Sequence, residues 1–187
     1  MGNSSNKNKR PRRNVSIVAG NLVQLSGIAL GIALLCLSIQ AVGPRAIEMV
    51  AGYVLIYFST HSLSHYVAGR LVGIRFTHYS IGGSSHAANF PPVMRQIFER
   101  LPFFAAHADP ASMKAASPAA KALMFGAGLV GTVVFSTLAT LCAYNARVPG
   151  STILLIFNIF WQIGTIITEA RPGGDIAKAR MALRQAK

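Results

Sequence analysis

The chain has 187 residues, of which 52% are hydrophobic and only 12% charged, with a mean hydropathy of +0.44. A soluble domain carries roughly 25% charged residues, so this composition excludes an ordinary soluble protein and points to a membrane protein. Eighteen Lys and Arg stand against five Asp and Glu. Such an excess can serve nucleic-acid binding, but the positions of the charges give it another role, and no nucleic-acid partner is expected.

Four windows lack Lys, Arg, Asp and Glu: Asn14–Pro44 (helix core Val15–Ala41), Met49–Gly69, Ala122–Ala146 and Val148–Thr168. Each approaches or exceeds the ~20 residues a spanning helix needs. The basic residues fall five in the N-terminal tail, one in the first connection, six in the second, one in the third and five in the C-terminal tail. With four spans, sixteen of the eighteen lie on one side, which is the positive-inside pattern. The expectation is an integral membrane protein, in the plasma membrane of a prokaryote, with both termini cytoplasmic and the lipid bilayer as its first partner. In fold class it is an all-α membrane protein of about four transmembrane helices, with a short β-hairpin in the cytoplasmic connection.

Residues 1–14 form a basic tail of disordered composition, residues 15–175 a membrane-embedded domain, and residues 176–187 a basic C-terminal tail of helical composition suited to the membrane surface. In the first span, Gly27 and Gly31 would let another helix approach closely. The second span ends near Arg70, which sets His65 about 7–8 Å and His61 about 13–14 Å above that charged end. The long connection from Arg70 to Lys121 begins with partial period-two alternation over Ile74–Ile81. It then meets Gly82-Gly83, so a strand or hairpin is expected. Val93–Leu101 reads as a short interfacial helix bounded by prolines. His78, His86 and His107 lack metal-ligand spacing and read as solvated loop residues. The third span carries Gly126, Gly128 and Gly131 and should pack tightly. The fourth runs out into Arg171-Pro-Gly-Gly-Asp175, where Pro172 and two glycines break the helix. Cys36 and Cys142 lie within spans and suggest no disulfide.

The stretch His61-Ser-Leu-Ser-His65 puts two imidazoles one helical turn apart, so both can offer nitrogen to one ion. The pair is equally compatible with two histidines hydrogen-bonded to neighbouring helices, although polar residues inside a span usually line a functional cavity. The second and fourth spans both end on the cytoplasmic side, and the Pro172-Gly-Gly turn can fold Asp175 back toward the histidines. A His, His, Asp set leaves a fourth zinc position for water, as catalytic sites require.

The chain resembles the site-2 protease family of intramembrane zinc metalloproteases. His61-Ser-Leu-Ser-His65 through Arg75 resembles the family's HExxH helix and its exit. Ser117 through Ala127-Gly128 resembles the approach to its glycine-rich helix, and Arg171-Pro-Gly-Gly-Asp175 the segment supplying the third ligand. The similarity spans about Ile47 to Leu183. It implies that His61, His65 and Asp175 are zinc ligands, and that the connecting hairpin takes an extended membrane-protein substrate or client as an added strand.

Ser62 stands where the family has its catalytic Glu, Leu129 where proline is usual and Ile176 where glycine is usual. Serine is no base near pH 7, and loss of general acid–base help costs typically 10²–10⁴-fold in rate. The expected function is therefore a zinc-site protein with impaired or absent peptidase activity. The alternatives are an active metalloendopeptidase using another base, for which Glu169 beside the turn is the candidate, and a non-enzymatic protein that binds membrane clients or regulates another protease.

Overall fold

Apolar helices too long for a small soluble core dominate the chain. A computed structural model describes residues 12–40, 45–84, 87 and 92–185. Strand β1 (Arg13–Val15) leads into α1 (Ile17–Gln40), and α2 (Ala46–Leu71) into β2 (Phe76–Gly82). Helix α3 (Pro92–Arg100), strand β3 (Phe103–Ala108) and helix α4 (Pro110–Ala115) follow. The chain closes with α5 (Pro118–Asn145), α6 (Ser151–Glu169) and α7 (Asp175–Arg184).

Among the described residues three helices, α1, α5 and α6, are long and apolar enough to cross a membrane. The second charge-free window, Met49–Gly69, lies in α2, which at 26 residues is long enough but is the most polar of the four. Large side chains such as Val18, Ile153 and Phe160 are exposed on these helices, while Gln24, Thr132, Ser136, Thr140 and Asn158 are buried. This inversion of the soluble pattern fits a lipid-facing exterior, because polar groups in a bilayer turn inward to find partners. Most of the buried amides and hydroxyls do so, although Gln24 Oε1 and Gln162 Oε1 have no partner among the described residues. Tyr53 O–H donates to Asn158 Oδ1 at 3.0 Å, and Gln162 Nε2 donates to Ser136 Oγ at 2.6 Å. Asn158 Nδ2 donates to Thr137 Oγ1 at 3.3 Å, so α2, α5 and α6 share one polar seam.

Helix α2 lies between α1 and α5. On the α1 side Gly31 and Gly52 bring the two backbones into contact: a Cβ on Gly52 would meet the Gly31 carbonyl at 2.7 Å. On the α5 side Gly131 faces Ser64 and Gly128 faces the ring of His65, whereas Gly126 faces open space. An apolar core of Met49, Tyr53, Ile56, Ala139, Ala143 and Leu154 fills the first half of α2 and its neighbours. The histidines occupy the second half, at the opposite end.

The expected hairpin takes a different form. Strand β2 runs through Gly82, and its antiparallel partners are β1, from the basic tail, and β3, beyond α3. Gly83 does not close a turn; its Cα rests against the backbone of Glu99, where a side chain would not fit. The alanine-rich β3 carries little strand propensity, and its pairing with β2 decides its conformation. Arg13 and Asn14 of the expected disordered tail are in β1; residues 1–11 of that tail lie outside the described residues. The helices at Pro92–Arg100 and Asp175–Arg184 answer to the expected segments. Helices α4 and α5 start on matching signals, Asp109-Pro110 and Ser117-Pro118. The Asp109 carboxylate accepts from Ser112 N–H at 2.8 Å, and the Ser117 hydroxyl from Ala120 N–H at 3.2 Å.

Candidate metal centre

The i, i+4 spacing on α2 and the sharp exit of α6 bring His61, His65 and Asp175 together. Residues 170–174 turn the chain over, with Gly173 at φ 90° and Gly174 pressed against the Glu169 backbone. Asp175 opens α7 with its carboxylate facing α2. Its Oδ2 lies 2.9 Å from His65 Nε2 and 3.4 Å from His61 Nε2, and the two Nε2 atoms are 3.3 Å apart. Ligands about 2.0–2.1 Å from a tetrahedral zinc sit about 3.3 Å from one another, so the spacing suits such an ion.

The proton arrangement behind the imidazoles fixes what they present. His65 Nδ1 lies 2.7 Å from the Met124 carbonyl, which can only accept, so Nδ1 carries the hydrogen. The Thr132 hydroxyl donates to the Gly128 carbonyl at 2.9 Å. Its oxygen therefore accepts from His61 Nδ1, 3.2 Å away. Both neutral rings then aim an Nε2 lone pair at a carboxylate oxygen. With both rings neutral, three acceptors converge, an arrangement that a bound metal cation or a proton on one ring relieves. The site is sheltered on the α7 side, where Asp175 is 7% exposed, and open at His61, which is 34% exposed.

A cavity of about 520 Å³ adjoins His61, His65 and Asp175. Its lining includes β3, an outer strand of the sheet, and aromatic side chains among them Phe58, Phe98 and Trp161. Ser62 also reaches the cavity. Its hydroxyl, however, donates to the Phe104 carbonyl of β3 and ties that strand to α2. Glu169 lines the same cavity, and its Oε2 accepts from the Asp175 backbone N–H at 2.6 Å, capping α7. The remaining carboxylates are elsewhere: Glu48 pairs with Arg45, Glu99 with Arg95, and Asp109 caps α4.

Sequence reasoning missed Thr132, Gly128's contact with His65, and Lys178, which sits one turn beyond Asp175. Only the i, i+4 step from Gly128 to Thr132 and the i, i+3 step from Asp175 to Lys178 hinted at them. His78 and His107, expected in loops, are instead cross-strand partners, because the antiparallel register of β2 and β3 sets them opposite each other. Their rings stack with centroids 4.5 Å apart and planes 6° apart. Ser80 Oγ lies 2.8 Å from His107 Nε2, and burial, then His78, then Arg12 lower the His107 pKa. His86 lies outside the described residues. Comparison with protein-family models, curated proteins and solved structures returns no match to this chain.

Proposed function

We propose that this chain is an integral membrane protein of site-2 protease type. In this reading His61, His65 and Asp175 hold zinc, and Ser62 leaves peptidase activity impaired or absent. The single observation that carries the reading is the convergence of two Nε2 lone pairs and one carboxylate oxygen on a common point beside a cavity. Zinc bound there would polarise a carbonyl and bring the pKa of bound water toward ~7. The Met124 carbonyl and Thr132 fix the imidazole tautomers, and Asp175 supplies the negative ligand. Helix α2 is the second of four spans, running toward the cytoplasm, and the outer edge of β3 receives an extended membrane-protein substrate or client as an added strand.

A second reading, a non-enzymatic client-binding or regulatory protein, is favoured by the Ser62 hydroxyl, which is engaged by β3 and not turned to the ligands. An active enzyme would depend on Glu169, the only carboxylate besides Asp175 on the cavity wall among the described residues.

The test is zinc content of the purified protein, with cleavage of a membrane substrate measured alongside. Wild type is expected to carry one zinc, His61→Ala none, and Ser62→Ala one. Cleavage appearing in Ser62→Glu supports the degenerate enzyme. Activity in wild type that disappears in Glu169→Gln, with zinc retained, supports the substitute base. Zinc-free wild type would sink the metal readings.

A further inference from the structure

The two oxygens of Asp175 have different neighbours. Oδ2 faces both histidines, whereas Oδ1 is held by Lys178 Nζ at 3.0 Å. Lys178 follows one turn along α7, so helix geometry itself brings its ammonium over the carboxylate. The Phe125 ring of α5, with its centroid 5.6 Å from Nζ, steadies the ammonium by a cation–π contact. A solvent-exposed ion pair of this kind contributes little. This one differs because its acceptor is a buried carboxylate already aimed at two ring nitrogens.

A carboxylate can bind a metal through one oxygen or two. The second oxygen would take up a coordination position that an open site keeps for water or a carbonyl. We infer that Lys178 is a positioning residue for the His61–His65–Asp175 centre. It occupies Oδ1, so that a divalent metal engages Asp175 through Oδ2 alone and one coordination position stays open. The inference rests on the metal reading proposed above and concerns only how Asp175 is presented.

Cobalt(II) tests it, because the d–d absorption of cobalt reports coordination number. The full chain is loaded with cobalt in detergent micelles. Wild type is expected to give the intense band of a four-coordinate ion. In Lys178→Met the band should lose intensity and shift as Asp175 turns its second oxygen to the metal. Lys178→Arg keeps a cation at Oδ1 and should restore the wild-type band. Arg180→Met, an exposed cation on the same helix, should leave it unchanged. Lys178→Ala is read in the same way and covers failure of the methionine variant to fold. A wild-type band in the folded Lys178→Met or Lys178→Ala protein overturns the role of Lys178 and leaves the metal centre standing. A wild type that takes up no cobalt overturns both.

Discussion

His61 and His65 differ in what stands behind them. A backbone carbonyl holds His65, which no substitution on α5 removes, while a side-chain hydroxyl holds His61. Thr132→Val should therefore leave His61 Nδ1–H without an acceptor and weaken zinc binding about 10-fold, as loss of such outer contacts does, measurable by chelator competition. Two glycines of α5 give a paired prediction. A methyl group at Gly128 would enter the space of the His65 ring, so Gly128→Ala should abolish metal binding. Gly126 meets nothing within 4 Å, and Gly126→Ala should be neutral or stabilise the helix by up to about 1 kcal/mol, read in a thermal-stability assay.

At the scale of elements, the sheet and the polar seam each make a prediction. The folded sheet lowers the pKa of His107, so it binds fewer protons than the unfolded chain. Its contribution to stability is present above the unfolded value of about 6.5 and is lost as pH falls below it. Amide protection in β2 and β3, corrected for the intrinsic exchange rate, should therefore weaken as pH falls below about 6.5, and His107→Asn should flatten that dependence. In the seam, Asn158→Leu removes the acceptor of Tyr53 and one of the two acceptors of Gln162 Nε2. A loss of about 1–2 kcal/mol is expected in reversible unfolding from micelles. The strand at Phe76–Gly82 and the helices at α3 and α7 were legible because alternation, proline boundaries and helical composition are local signals. Strand β3 and the β1 pairing were not, since each depends on a partner far away in sequence.

For the whole molecule, charge distribution and burial point the same way: apolar side chains outward, polar ones inward, basic residues at alternate connections. Alkaline phosphatase fused after Arg147, between α5 and α6, should be active, and fused after Arg75 or Arg184 it should be inactive. Activity after Arg75 would remove α2 as a span. The sequence by itself determined the apolar helices, the one-turn spacing of His61 and His65, and the turn that could return Asp175, because these are properties of short stretches. Only the tertiary structure decided that Asp175 Oδ2 lies within 3.4 Å of both rings and that Ser62 turns to β3. Those outcomes depend on how closely α2, α5 and α7 approach, and small residues on facing helices, not local propensity, set that distance.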